Sequence, residues 1–337
     1  MAIGQYDLYV LFIELACELL NPNGILSFIV PTRLLSNENF YATRLFIKNH
    51  LPINIYVNAE APFDTASVEA NIMICVKGDR PDCVKSYTFN NRNGSFNITA
   101  TIKWDIVDKM PFLIFPFVYN DRIMSVFLKL QKFASHPLGG YTKITRGIEC
   151  GYKDSCITNK ATDFRLIKSE QIKRFFIDNN CYSLYCIPDF SNKAKFKSKD
   201  VFENKPKLVT KFCSQDIQFA LDTEGYYNTN SVYNCAIQDD DTAFFLLGIL
   251  NCPLTTFWFN VAYMNIDGLF PHIQKNQLES LPIPDFDNTK KVEIIRLVEQ
   301  YLNCKDKRLL TEINSVVFNY YHLTNAEIQV IENGSLS

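Results

Sequence analysis

The residues best suited to chemistry lie between Thr145 and Ile157, in the run Thr-Arg-Gly-Ile-Glu-Cys-Gly-Tyr-Lys-Asp-Ser-Cys-Ile. Gly147 and Gly151 let the backbone turn sharply, which crowds Arg146, Tyr152, Lys153, Asp154 and Ser155 onto one surface. Arg, Lys and Ser donate hydrogen bonds to phosphates and base edges, and Tyr offers an aromatic face. No nucleophile stands beside a base here, so the stretch points to recognition and not to catalysis. An ordinary surface turn would have the same composition.

Two further groups of donors follow. Between residues 193 and 211, Lys193, Lys195, Lys197, Lys199, Lys205, Lys207 and Lys211 stand against only Asp200 and Glu203, a balance of +5. Phe196, Phe202 and Phe212 interleave with them. Such a run either attracts phosphates close to planar side chains or is a solvated loop. Further on, Lys275, Asn276 and Gln277 bring ammonium and amide donors together, and Asn and Gln can pair bidentately with adenine. The closest cysteine spacings, Cys150 to Cys156 and Cys181 to Cys186, are not Cys-x-x-Cys and have no His nearby. That leaves no zinc site and no catalytic cluster at usable spacing.

Composition bounds the rest. A chain of 337 residues with 47% hydrophobic content can bury a large core, and 12 Gly against 27 Phe and 17 Tyr argue against disorder or a repeat array. A formal charge of -2 excludes a uniformly basic nucleic-acid binder, although it permits a local basic face. The eleven cysteines are scattered among apolar residues and read as free thiols. Met1 to Asp7 lacks a basic, then apolar leader pattern, and no apolar run reaches a bilayer-spanning length, so the expected location is cytoplasmic.

The elements that must position these donors follow from periodicity. Leu8, Leu11, Phe12, Leu15 and Leu19 recur at helical spacing, and Asn23-Gly24 supplies a left-handed stop. Ile25 to Val30, closed by Pro31, reads as a buried parallel strand. A second helix turns Phe40, Leu45 and Phe46 inward and leads to strands at Ile53 to Val57 and Ala70 to Val76. This is an α/β order with too few strands for a complete doubly wound sheet. Polar Asn90 to Thr99 marks a boundary, the Pro-interrupted Lys103 to Tyr119 packs between domains, and Ile123, Val126, Phe127 and Leu130 form one helical face. Strands are then expected within 144–145, 164–167, 183–187, 207–212 and 226–235. An apolar helix pair over Ala243 to Val261 has Phe257, Trp258 and Phe259 in the core. Helices through Ile295, Val298 and Leu302 and through Leu309, Ile313, Val316 and Val317 form a hairpin, and Thr324 to Glu327 offers a capping box.

The residues 7–14, Asp-Leu-Tyr-Val-Leu-Phe-Ile-Glu, and 20–31, Leu-Asn-Pro-Asn-Gly-Ile-Leu-Ser-Phe-Ile-Val-Pro, resemble TaqI-like N6-adenine DNA methyltransferases just after their catalytic motif. Residues 146–152, 205–209, 219–227 and 270–278 occur in family order and are similar to the TaqI-like specificity domain. Tyr320 to Thr324 is similar to the family's C-terminus. The resemblance implies S-adenosylmethionine as the parent family's cofactor and an Asn-Pro-Pro-Tyr motif for the flipped adenine, but this sequence contains neither that motif nor a Gly-x-Gly-x-x-Gly turn. It also implies DNA contacts from Tyr226 and Tyr227. In the stretch Ala61 to Ala70, Phe63 matches the family's aromatic that packs against the extruded base, with a core Phe as the alternative. His272 stands where a more basic residue is expected.

The expected architecture is therefore an α/β partial Rossmann-like methyltransferase sheet, an α+β target-recognition domain and a C-terminal helical hairpin. Its boundaries are 1–85 for the late methyltransferase strands, 86–135 for a linker, 136–285 for the specificity domain and 286–337 for the tail. The resemblance implies a double-stranded DNA partner and a second chain carrying the cofactor and catalytic motifs, this chain alone being inactive. The alternatives are a non-catalytic specificity subunit and a truncated remnant.

Overall fold

A largely apolar helix of 12 residues and a left-handed residue after it open the first unit. In the computed structural model, which describes residues 7–58, 70–78, 80–90, 93–133, 135–151, 154–179, 184–264 and 272–333, helix α1 (Leu8–Leu19) ends before Asn23, whose φ is 61°. The described residues form two units, one of residues 7–128 with Val261–Met264 and one of residues 129–260 with 272–333. No disulfide joins the described cysteines. No single helix among the described residues is long and apolar enough to cross a membrane.

In the first unit, five strands form one sheet: β1 (Ile25–Pro31), β2 (Ile53–Asn58), β3 (Ala70–Val76), β4 (Cys83–Asn90) and β5 (Ser95–Lys103). Their order is β1-β3-β2-β4-β5. Only β2 and β4 run parallel; β1 pairs antiparallel with β3, from Ile25 opposite Val76 to Pro31 opposite Ala70. The expectation of a buried parallel strand at Ile25 to Val30 is thus corrected. Among the described strands β1 lies at the edge, with Leu26 and Val30 buried but Ile25 and Ile29 67% and 53% exposed. The sheet also runs past residue 85, because Asn90 and Ser95 to Thr99 belong to the paired strands of the β4–β5 hairpin.

The helices bury other faces than their apolar spacing indicates. In α1 the core takes Val10, Ile13 and Cys17, while Leu8, Leu11, Phe12, Leu15 and Leu19 are exposed. A short helix α2 (Arg33–Ser36) then leads into α3 (Tyr41–His50), which buries Thr43, Arg44 and Ile47, leaving Leu45 and Phe46 only half-buried. Arg44 decides this orientation. Its guanidinium donates to the carbonyls of Leu34 at 2.9 Å, Asn37 at 2.8 Å and Phe112 at 2.9 Å, tying the end of α2 to the neighbouring loops. Burial lowers its pKa to about 10, so it remains charged at neutral pH. A single turn, α4 (Trp104–Val107), then brings Trp104, Phe115 and Phe117 into a buried aromatic cluster, and α5 (Asp121–Leu130) buries Met124, Val126, Phe127 and Leu130.

The second unit is built on two small sheets. After β6 (Ser135–Pro137) come β7 (Lys143–Arg146), β8 (Ile157–Thr158), β9 (Arg165–Ile167), β10 (Leu184–Cys186) and a helical turn α6 (Asp200–Glu203). They are followed by β11 (Lys207–Lys211), β12 (Phe219–Asp222), β13 (Tyr227–Asn228) and β14 (Val232–Ala236). One sheet has the order β12-β11-β14-β7, all antiparallel, and the other the order β13-β9-β10-β8. The expected single strand over 226–235 is thus two strands in two sheets, separated by the turn Thr229 to Ser231.

Helices α7 (Asp240–Leu250) and α8 (Pro253–Tyr263) follow, with Phe257, Trp258 and Phe259 buried. Then come α9 (Lys275–Glu279), β15 (Pro282–Pro284) paired with β6, and the helices α10 (Asn288–Cys304), α11 (Lys307–Tyr320) and α12 (Asn325–Glu332). Thr324 and Glu327 close a capping box at α12, and Glu327 also accepts from Lys129 at 2.7 Å. The bend between α10 and α11 places Lys305 at φ 57°.

A buried ion pair lies across two neighbouring strands of the sheet β12-β11-β14-β7. Lys207, on β11, and Asp222, at the end of β12, are both 0% exposed and lie 2.7 Å apart. The ammonium also donates to the Phe202 and Tyr226 carbonyls, and Asp222 accepts from the backbone N–H groups of Glu224, Gly225 and Tyr226 at 2.8–3.0 Å. Gly225 fits the turn because its φ is 79° and a Cβ there would lie 2.9 Å from Lys205 Cε. Removing one partner strands a buried charge. Asp222→Ala is therefore expected to lower unfolding stability by about 3–5 kcal/mol, against less than about 0.5 kcal/mol for exposed Lys205→Ala, as read from urea denaturation midpoints.

Candidate nucleic-acid interface

Three loops of the second unit are stitched together around residues 146–151. The N–H of Gly147 donates to Val232 O, that of Ile148 to Asn228 O, that of Glu149 to Lys195 O, and that of Asn230 to Ile148 O, all at 2.8–3.0 Å. The approach is close enough that a Cβ at Gly147 would sit 2.3–2.4 Å from Asn228 and Thr229 oxygens, so only glycine fits. Beneath it, the buried amides of Asn228 and Asn234 exchange hydrogen bonds at 2.8 and 2.9 Å. This network is fixed by polar pairs that are fully satisfied, which makes the loop rigid where it leaves β7.

Arg146 ends β7. Its Nε and Nη2 donate to the Asn230 carbonyl at 2.9 and 2.6 Å, and its guanidinium lies 3.9 Å from the centroid of the Phe212 ring. That ring is in turn 4.7 Å from His272. The result is a cluster of three planar side chains, guanidinium, phenyl and imidazole, the two rings tilted by 35°. Beside it opens a cleft of about 420 Å³ lined by Glu149, Cys150, Gly151, Thr229, Asn230 and Ser231. Asn230 Nδ2 donates to Glu149 Oε2 at 2.9 Å across this lining.

The far side of the loop is tied down by Asp154, whose carboxylate is 2.5 Å from Lys195 Nζ and accepts the Cys156 N–H at 3.0 Å. The lysine's hydrogen bond, followed by that of the Cys156 backbone, lowers the Asp154 pKa to about 2. Behind it, burial raises Cys150 and Cys186 to about 12, which keeps both as thiols at neutral pH. Among the described residues no group of His, Cys, Asp and Glu is placed to hold a metal ion.

The sequence-predicted donors divide sharply. Arg146 reaches the site, Ser155 is exposed in the turn between the site and β8, Lys205 is exposed before β11, and Lys211 is half-buried at the other end of β11 with a pKa lowered by burial and by Lys173. Lys275 is exposed at the start of α9 and pairs with Glu279 at 3.3 Å; Asn276 is exposed; and Gln277 Oε1 caps α9 by accepting the Gln274 N–H at 2.9 Å. Phe63, Tyr152 and Lys153 lie outside the described residues.

Lys207 is a correction, since the core ion pair holds it away from any phosphate. Tyr226 and Tyr227 are corrected in the same sense, being 4% and 2% exposed. Tyr227 stacks 4.6 Å from Phe202 and donates to Glu203 at 2.9 Å, while the Tyr226 hydroxyl accepts from Asn179 at 3.0 Å. Phe196 and Phe202 likewise anchor the lysine-rich loop in the core and offer no stacking face; of the three interleaved rings only Phe212 is half-exposed. Sequence reading missed Glu149 and the run Thr229-Asn230-Ser231. The signal was present, because Asn and Ser inside an apolar strand pattern mark a turn.

Residues 164–283 match the family model for the TaqI-like C-terminal specificity domain, and residues 1–63 match that for the Eco57I restriction-modification methylase. Among solved structures, the fold is similar to the type IIL restriction-modification enzyme MmeI in complex with DNA, with a TM-score of 0.60 at 11% identity over 97% of this chain. It is also similar to a nuclease-deletion mutant of the type ISP restriction-modification enzyme LlaGI in complex with a DNA substrate mimic, with a TM-score of 0.50 at 13% identity over 90% of this chain. The chain spans 51% of the MmeI chain and 37% of the LlaGI chain. No curated protein sequence matches it.

Because the folded value of Asp154 lies below the usual 3.8, the Lys195 tether is complete above that value and is lost only as the pH falls through about 2. Carbon NMR should show the Asp154 carboxyl titrating near pH 2; a midpoint at 3.8 or above would exclude the tether. The chain is thus similar to the Eco57I restriction-modification methylase over residues 1–63 and to the TaqI-like C-terminal specificity domain over residues 164–283.

Proposed function

We propose that this chain is the DNA-binding, target-recognition portion of a site-specific N6-adenine DNA methyltransferase of a restriction-modification system. The observation that carries the reading is the order of the two family matches, a methylase segment followed by a specificity domain, together with the rigid loop at Arg146. Exposed Lys205, Ser155, Lys275 and Asn276 and half-buried Lys211 would fix register on phosphates, while the cleft beside Arg146 meets base edges. Phe63 is assigned the stacking role against the extruded base.

Methyl transfer needs S-adenosylmethionine, which the parent family binds on its methyltransferase sheet. At the end of β1 the chain passes straight into α2, and Thr32, Tyr56 and Asn71 satisfy one another, with Asn71 Nδ2 donating to Thr32 at 2.9 Å and the Tyr56 hydroxyl to Asn71 at 2.5 Å. The cofactor and the Asn-Pro-Pro-Tyr motif are assigned to a further polypeptide segment. Its docking surface is the edge of β1 that pairs with no other described strand, together with the apolar face of α1, where Leu8, Leu11, Phe12, Leu15, Leu19, Ile25 and Ile29 are between 40% and 76% exposed. An edge strand beside an apolar helix face is the arrangement that takes an added strand.

Selection of bound duplexes from a random library by the full chain, at two salt concentrations, tests the first part. A recovered motif containing adenine is expected, and Lys205→Ala should weaken all sequences alike while reducing the salt slope by about 0.9. Failure to recover any motif from folded protein counts against the reading. For the second part, Leu11→Lys with Leu15→Lys is expected to raise the solubility of the isolated chain and to abolish co-purification of a methyltransferase segment bearing the motif. Unchanged co-purification would move the partner elsewhere.

A further inference from the structure

The cleft contains a group that a phosphate-binding surface should avoid. Glu149 is an exposed carboxylate, three residues from Arg146, on the loop that the proposed function turns toward DNA. A carboxylate near a polyanion is repelled unless it finds hydrogen-bond donors there. Duplex DNA offers them only on bases, and in the major groove these are the exocyclic amino groups of adenine and cytosine.

The structure holds this carboxylate in place. Asn230 Nδ2 donates to Oε2 at 2.9 Å, which orients the carboxylate. Asn230 is itself held from both sides, since its carbonyl accepts two bonds from Arg146 and its N–H donates to Ile148 O at 2.8 Å. The Glu149 N–H is fixed to Lys195 O at 3.0 Å. At Gly151 a Cβ would meet no atom of the described residues within 4 Å. Two polar side chains on separate loops thus present an acceptor and an amide side by side at the mouth of one cleft.

We infer that Glu149 and Asn230 form a specificity pair that reads one base pair in the major groove by accepting the exocyclic amino group of adenine or cytosine. Glu149 accepts the amino N–H, and the second Asn230 N–H serves an adjacent ring nitrogen. Adenine, with its amino group beside N7, satisfies both halves, and cytosine satisfies only the first. Arg146 is a positioning residue, holding Asn230 through its carbonyl. The inference rests on the DNA-recognition reading above and assigns the position that the cleft reads.

The test compares motifs selected from a random duplex library, at one fixed salt concentration, by the full wild-type chain and by the Glu149→Lys and Asn230→Ala variants. Thermal unfolding verifies that each variant is folded. Lysine replaces an acceptor by donors, so Glu149→Lys should convert one position of the motif from adenine or cytosine to guanine, changing relative preference there by roughly 10- to 100-fold and leaving the other positions intact. Asn230→Ala should relax the same position. An unaltered motif from folded Glu149→Lys overturns the inference while sparing the recognition reading. So does a uniform change in affinity with no change in preference. A wild-type chain that selects no motif overturns the recognition reading and the inference with it.

Discussion

The second unit depends on a buried charge pair. Lys207 and Asp222 are both withdrawn from water, and their mutual attraction offsets desolvation only because each is also hydrogen-bonded to backbone. That requirement fixes the surroundings. The turn from Asp222 to Tyr226 must wrap its N–H groups around the carboxylate, and the carbonyls of Phe202 and Tyr226 must face the ammonium. The lysine-rich loop, the end of β12 and the start of β13 therefore meet at one point. Phe202 stacks on Tyr227 directly beside it, so the two sheets share an anchor.

The candidate interface grows from this frame through β14 and β7. Asn234 on β14 exchanges hydrogen bonds with Asn228, which lies under the glycine that follows Arg146. From there the loop is held at three separate places: Arg146 on the Asn230 carbonyl, Glu149 on Lys195 and Asp154 on the Lys195 ammonium. A recognition surface gains from such rigidity, since ordering the loop on binding costs little further entropy.

The first unit shows the opposite condition. Its own polar demands are met, with Arg44 serving three carbonyls and Asn71 tying β3 to Thr32 and Tyr56. Its apolar surface is not. α1 is apolar on both sides, and burial of Val10, Ile13 and Cys17 leaves the larger residues outside. A surface of that kind gains free energy on being covered, which is the physical basis for assigning it to a further segment.

Local patterning by itself determined the first helix and its stop at Asn23, most of the strands, the helix at Ala243 to Leu250 and the capping box at Thr324, because these depend on periodicity and turn chemistry within a few residues. The sequence motifs likewise carried the resemblance that the two family matches bear out. Tertiary structure alone decided which faces are buried. A helix as largely apolar as α1, where only Glu14 and Glu18 are charged, has no single face that spacing can pick out, a lysine on a strand such as Lys207 reads as a phosphate contact until its acid partner 15 residues on is brought beside it, and Tyr226 and Tyr227 read as exposed until Phe202 closes over the latter. The parallel or antiparallel sense of β1 depends on a partner strand some 45 residues away. The Glu149–Asn230 pair joins residues 81 positions apart, which no local pattern can bring together.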